Sequence, residues 1–197
     1  MADNGQTRVG VTRYYYGDSY GAKTRYFSEL PPEERRRYFQ EIVSQVSQGA
    51  RPVGGLTTQF NQYPGLEQFT VDVDNYAVVD GNYLYFDLPF TPSLFPVGAD
   101  QRVLPLFFPR GSKDTIRTVI ALPPGFRQTV IAPESEKLDA PGGVARIDSI
   151  NSTGQCVIIH ELETMPAIIR PADYPALLKL ESALRRKSSR AFLFGKN

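Results

Sequence analysis

The sequence predicts a mostly β (α+β) fold, an antiparallel β-sandwich with one early helix and one C-terminal helix. Short runs of alternating apolar and polar residues recur along most of the 197-residue chain. Gly and Pro, at 16 residues each, divide these runs with many turns. Only two segments show the spacing of a helical face. Short strands separated by turns in this way are typical of a β-sandwich.

The first elements are a strand and a helix. Residues 7–16 are predicted to form a strand, since Val9 and Val11 alternate with polar residues, and residues 20–27 form a weaker strand candidate. Residues 33–48 are predicted to form the early helix. Prolines at 31 and 32 suit its entry, acidic residues in its first turn complement the helix dipole, and the glycine at 49 suits its end.

Almost all of the chain after this helix is predicted to be strand. The pair Asp80-Gly81 suits a tight hairpin turn because both residues tolerate positive φ. Strands are predicted at residues 69–74, 76–79, 82–86, 103–108, 115–122, 129–131, 144–150, 156–162 and 191–194. A closing helix is predicted after the prolines at 171 and 175, and its periodic leucines predict that Leu178 is buried against a sheet.

The chain is predicted to have an N-terminal strand-helix-strand lobe, residues 1–75, and a β-sandwich with the closing helix, residues 76–197. A single domain is the alternative, since no low-complexity linker separates the two parts. The first six residues have neither a basic segment nor an apolar one, so no signal peptide is expected in this sequence.

Composition argues against several classes of partner. Lys and Arg total 22 and Asp and Glu total 21, a net charge of +1, which argues against nucleic acid as a partner. No apolar run approaches the ~18 residues of a membrane span, so no membrane insertion is expected. The sequence contains no phosphate-binding or dinucleotide-binding loop and no metal-ligand motif, so neither a cofactor nor a metal is expected.

The single cysteine and the single histidine lie close together, at Cys156 and His160. A Cys–His pair can serve as nucleophile and base. The three β-branched residues between them predict a strand, on which they would stand about 13 Å apart at ~3.3 Å per residue. We therefore expect a buried thiol and no catalytic residue in this chain.

Two groups of aromatic and apolar residues are candidate interaction sites. Phe90, Leu94, Phe95, Phe107 and Phe108 lie in turn-rich segments, where large side chains are hard to bury, and are predicted to form a surface that contacts another domain. The alternative is that they cap the core. A second surface, for a polysaccharide or a peptide, is the cluster Tyr14, Tyr15, Tyr16 and Tyr20. The alternative there is ordinary packing of strand tyrosines.

Three segments carry a family resemblance: residues 29–39 (ELPPEERRRYF), 116–126 (IRTVIALPPGF) and 171–175 (PADYP). Together the chain resembles the C-terminal domain of unknown function that follows the transglutaminase-like core in bacterial multidomain envelope proteins. The resemblance implies a non-catalytic accessory domain in the periplasm or cell envelope. It implies two kinds of partner, neighbouring domains of the same parent chain and a cell-envelope polymer. The core's catalytic residues have no counterpart in this sequence.

Overall fold

The computed structural model of the chain describes residues 1–2, 4–93, 101–152 and 154–196. Within them the strands are β1 Thr7–Tyr15, β2 Ala50–Pro52, β3 Thr57–Gln59, β4 Gly65–Val73, β5 Val78–Asp80, β6 Tyr83–Asp87, β7 Leu106–Phe108, β8 Ser112–Ala121, β9 Phe126–Ile131, β10 Glu136–Ala140, β11 Gly143–Ser152, β12 Gln155–Thr164, β13 Ala167–Ile169 and β14 Ala191–Lys196. The helices are α1 Gly17–Glu29, α2 Pro32–Val46 and α3 Tyr174–Arg185, and a 3-10 turn covers Lys187–Ser189. The prediction of a mostly β, α+β fold is confirmed.

The strands form three antiparallel sheets. The large sheet has eight strands in the order β10-β11-β12-β8-β1-β4-β2, and β3 also pairs with β4. A four-stranded sheet has the order β5-β6-β14-β9, and β7 and β13 form a two-stranded ribbon. The predicted hairpin at Asp80-Gly81 is confirmed, because β5 pairs with β6 and Gly81 has a φ of +56°.

One face of the large sheet is mostly buried across its central strands β12, β8, β1 and β4. Cross-strand partners lie on the same face of a sheet, and the register places Val9 opposite both Val71 and Ile120. Ile120 lies opposite Cys156 in turn. We call the face that carries these residues the inner face, and its opposite the outer face.

Different elements cover different parts of the inner face. The four-stranded sheet packs over β8 and β12 and forms the sandwich, with Phe192 and Phe194 against Ile158. Helix α2 packs its residues 42, 43 and 46 over β1 and β4. Helix α3 contributes Leu180 and Leu184 to a third cluster over β11.

Two expectations about helices are corrected. The early helix at residues 33–48 is confirmed as α2, but α1 precedes it where a weak strand was expected, so there are two early helices. The only buried residue of α1 is Phe27, and this helix has no apolar stripe that the sequence pattern could show. In α3 the buried leucines are at 177, 180 and 184, whereas Leu178 is half-buried because it is rotated away from that stripe.

The large sheet crosses the boundary expected at residue 75. Strand β1, from the expected N-terminal lobe, pairs with β8 from Val9 opposite Ile120 to Tyr15 opposite Asp114. The segments 1–75 and 76–197 therefore contribute strands to the same sheet. Among the described helices, none combines the length and apolar character needed to cross a membrane.

Candidate functional site

A buried ion pair lies at one end of the inner face. Arg13 of β1 and Glu67 of β4 are direct cross-strand partners, and Nη1 of Arg13 donates to Oε1 of Glu67 at 2.8 Å. The hydroxyl of Tyr38, on α2, donates to the other carboxylate oxygen. Glu67 is 0% exposed. A charge at this depth requires such partners, because an unpaired buried carboxylate is strongly disfavoured.

Beside this pair, Lys23 of α1 lies in an aromatic cage. Its Nζ atom lies 5.0 to 5.8 Å from the ring centroids of Tyr15, Tyr26, Phe27 and Tyr38. The amine also donates to the hydroxyl of Tyr38 at 3.3 Å. Burial lowers the pKa of Lys23 below its ordinary value. The ring faces attract the ammonium, so they oppose that effect.

A second carboxylate, Asp114 of β8, lies opposite Tyr15 on the inner face. The hydroxyl of Ser19 donates to its Oδ2 atom at 3.2 Å. Its Oδ1 atom is buried and has no hydrogen-bond partner among the residues that the structure describes. Burial raises the pKa of Asp114, and the Ser19 hydrogen bond and the charge of Lys23 act against that rise. The Nε atom of Arg13 is likewise buried without a partner in the described part of the chain.

Two clefts meet at Tyr15 and Asp114, and we call them the Asp114 clefts. The first has a volume of about 260 Å³, and the second has a volume of about 410 Å³. The first is also lined by Arg13, Tyr14, Gln45, Phe90, Thr91, Pro92, Thr115 and Ile116, and the second by Ser19, Ala22, Lys23 and Tyr26. The clefts thus combine aromatic walls with a few charged groups, which is typical of ligand sites.

The four tyrosines of the predicted ligand surface do not form one surface. Tyr15 is buried on the inner face, and its neighbour Tyr14 lies on the outer face, because successive strand residues point to opposite sides. Tyr16 and Tyr20 pack edge-on against Tyr63, with ring centroids 5.7 and 5.2 Å apart. Tyr63 was missed in the sequence because it lies in a distant loop.

The predicted interaction surface is only partly present. Phe90 is 8% exposed, its ring packs edge-on against Phe69, and the Arg13 guanidinium lies 4.4 Å from its centroid. The prediction of an exposed Phe90 is wrong, because the chain after β6 folds back over the charged end of the inner face. Leu94 and Phe95 lie outside the described residues.

Phe107 and Phe108 lie on opposite faces of the β7–β13 ribbon. Phe107 is opposite Ile168, and the two side chains are 63% and 68% exposed. Phe108 is half-buried and faces the turn before β11. A Cβ atom added at Gly142 in that turn, where φ is +77°, would lie 3.1 Å from the ring of Phe108. One face of the ribbon is therefore packed tightly, and the other presents an apolar pair.

The Cys156–His160 pair lies on the inner face of β12, and both residues are buried. Four residues along one strand correspond to about 13 Å, far beyond hydrogen-bond reach. Burial raises the pKa of Cys156 to about 12, so its thiol is protonated at neutral pH. Nε2 of His160 donates to the Ser189 carbonyl oxygen at 3.3 Å, and burial lowers the pKa of His160. This arrangement does not support a thiol nucleophile.

No group of three or more His, Cys, Asp or Glu residues within the described ranges is arranged to hold a metal ion. Comparison with known families gives one match. The family described as "Domain of Unknown Function with solved-structure structure (DUF3858)" matches residues 82–194, from the start of the β6 region to β14. The match covers more than half of the 197 residues. No curated protein matches the chain significantly, and no solved structure does so.

Proposed function

The chain belongs to the DUF3858 family of domains of unknown function, and we propose that it is a non-catalytic interaction domain. In this proposal it packs against a neighbouring domain of a larger, transglutaminase-like polypeptide of the bacterial periplasm or cell envelope. The observation that carries the proposal is the exposed pair Phe107 and Ile168 on the β7–β13 ribbon. The resemblance of residues 29–39, 116–126 and 171–175 supports the identity of the parent.

The ribbon has the properties of a docking surface. Each of its strands is three residues long, and a two-stranded ribbon of this size gains little stability from its own pairing. Met165 and Leu104, which are 43% and 73% exposed, lie close to it in sequence. Exposed arginines, Arg110 and Arg170, follow the two strands. Aromatic residues, Met and Arg are enriched at the centres of protein interfaces.

A neighbouring domain of the same polypeptide suits the modest size of this surface. Interfaces between domains of one chain typically bury about 600–1,500 Å² and are fairly polar, so one apolar pair with a polar border is sufficient. The burial of Cys156 supports a non-catalytic role, because the one thiol of the chain is both protonated and inaccessible.

Hydrogen exchange tests the proposal. The exchange of amides in β7 and β13 is compared between the isolated chain and its full-length parent polypeptide. We expect slower exchange in the parent because the neighbouring domain covers the ribbon. The internal reference is the short strand β3, which pairs with β4. Its amides should exchange at the same rate in the isolated chain and in the parent polypeptide. Equal rates at the ribbon would contradict the proposal.

A matched pair of variants identifies the responsible side chain. Phe107→Ser should return the ribbon of the full-length parent to the exchange rate of the isolated chain. Ile150→Ser, which changes an exposed apolar residue on β11 instead, should leave the protection in place. If the isolated chain forms a concentration-dependent dimer that Phe107→Ser abolishes, the surface serves self-association, and the proposed neighbour is wrong.

A further inference from the structure

We propose that the Asp114 clefts bind a neutral carbohydrate, holding one sugar ring by its hydroxyl groups. This site lies at the charged end of the inner face and is built from β1, β8, α1 and α2. It shares no residue with the Phe107–Ile168 pair. Carbohydrate binding at this site is therefore a second function, independent of the proposed interaction domain.

Three residues that line the first cleft, Arg13, Asp114 and Thr115, each have a buried side-chain polar atom without a partner in the described part of the chain. Oδ1 of Asp114 is an acceptor when the carboxyl is ionised, and Nε of Arg13 is a donor. Both residues line the cleft of about 260 Å³. Buried polar groups almost always have a partner in the protein, in water or in a ligand. A hydroxyl both donates and accepts, so it is a group that can satisfy either atom.

The walls of the clefts suit the apolar faces of a sugar ring. Tyr15 stands between the two clefts, Phe90 and Pro92 line the first, and Tyr26 lines the second. Tyr15, Phe90 and Pro92 are buried and close the back of the clefts, so the ring that offers apolar surface to the C–H face of a pyranose is Tyr26. Tyr26 is 40% exposed, so part of its ring is open to a ligand.

The charges at the site indicate a neutral ligand. Arg13 and Lys23 contribute two positive charges, and Glu67 and Asp114 contribute two negative charges. The Arg13–Glu67 pair is already closed at 2.8 Å. The sum is zero, so the site has no net attraction for a phosphate or a polyamine.

A peptide fits the site less well than a sugar. Extended peptides commonly bind by adding a strand to a free sheet edge. Here β1 is hydrogen-bonded to β4 on one side and to β8 on the other. The clefts lie on the face of the sheet, under two helices, and therefore suit a compact ring.

Titration followed by NMR tests the site. The ¹⁵N-labelled chain is titrated with cellobiose and, separately, with N,N′-diacetylchitobiose, and trialanine and inorganic phosphate serve as comparison probes. We expect saturable shifts with at least one disaccharide at the amides of Tyr15, Lys23 and Asp114. The comparison probes should produce no saturable shifts there.

Variants connect the shifts to the proposed contacts. Asp114→Asn should raise the disaccharide Kd at least tenfold, because it removes the charged acceptor. The variant should remain folded, since it removes a buried charge. Asp148→Asn, the same substitution at an exposed position on the outer face, should leave the Kd unchanged. Tyr26→Leu should raise the Kd by removing ring surface, and it provides a second test at a partly exposed position.

Three results would overturn the inference. The first is the absence of saturable shifts with both disaccharides. The second is saturable binding of trialanine at the same amides with no disaccharide binding, which would assign the clefts to a peptide. The third is a disaccharide Kd that Asp114→Asn and Tyr26→Leu leave unchanged. Phe107→Ser should not affect the disaccharide titration. The carbohydrate proposal and the interaction-domain proposal can therefore be refuted independently.

Discussion

Replacing Glu67 with glutamine removes one charge from the buried pair with Arg13 and changes little else. The side chain keeps its size, and its amide oxygen can still accept the hydrogen bond from Tyr38. The Arg13 side chain, which is 13% exposed, would then be left without its counter-ion. Breaking a buried ion pair by removing one partner costs about 3–5 kcal/mol. Because the Tyr38 hydrogen bond is retained, we expect about 3 kcal/mol, at the lower end.

Urea unfolding at neutral pH measures this cost. For an m-value of about 2–3 kcal/mol per M, a loss of about 3 kcal/mol lowers the unfolding midpoint by about 1–1.5 M. The matched control is Asp72→Asn. Asp72 pairs with Arg8 across the same two strands but on the outer face, where the Arg8 side chain is 63% exposed. Exposed pairs contribute about 0–1 kcal/mol, so this variant should change the midpoint little.

The difference in unfolding free energy between Glu67→Gln and Asp72→Asn shows whether burial strengthens the ion pair. Both exchange a carboxylate for an amide, both remove an arginine partner, and both lie on β4. They differ in burial. If Glu67→Gln costs no more than Asp72→Asn, burial does not determine the strength of the Arg13–Glu67 pair. The account of the charged end of the inner face would then be wrong.

Three further predictions concern the core. Leu184→Ala, at a fully buried position of α3, should lower the free energy of unfolding by about 2–5 kcal/mol in urea unfolding. Leu178→Ala should cost less than half of that, because Leu178 is half-buried. Cys156 should react with a thiol reagent only after unfolding, so a native chain that is labelled as fast as the denatured chain would contradict its burial. Burial lowers the pKa of His160 from its ordinary value of 6.5, so below pH 6.5 the unfolded chain binds a proton that the folded chain does not. The free energy of unfolding should therefore fall as the pH is lowered from 7 to 5, and His160→Gln should show a smaller fall.

The strands with strict alternation could be predicted from the sequence. In β1 and β4 most residues of one face are buried and those of the other are half-buried or exposed, so the period of two in hydrophobicity follows the structure directly. Helix α2 has three buried apolar residues at helical spacing and was also predictable. Helix α1 was not, because its inward side carries Lys23 instead of a further apolar residue. It contacts β1 and α2 through Lys23, which lies over the rings of Tyr15 and Tyr38, and these contacts between distant segments are not encoded in the local sequence.

The candidate site was harder to predict than the fold. The spacing of Cys156 and His160 was sufficient to expect that the two side chains do not form a hydrogen bond, since strand geometry sets their separation. By contrast, Arg13 and Glu67 are 54 residues apart, and only the register of β1 against β4 brings them together. A register shift of one residue would move either side chain to the outer face. No local pattern could therefore show this pair.

Three neighbouring strands carry charged side chains at the same end of the inner face. Along β1 this face runs from Val9 and Val11 to Arg13, and along β4 it runs from valine and phenylalanine to Glu67. Along β8 the charged residue is Asp114, which lies opposite Tyr15. Once the register is known, this shared end of the strands marks the site, because Arg13, Glu67 and Asp114 are distant in sequence and come from strands that are adjacent in the sheet. The charged groups on these strands have backbones fixed by pairing on both sides, and a binding site gains accuracy from such rigid support.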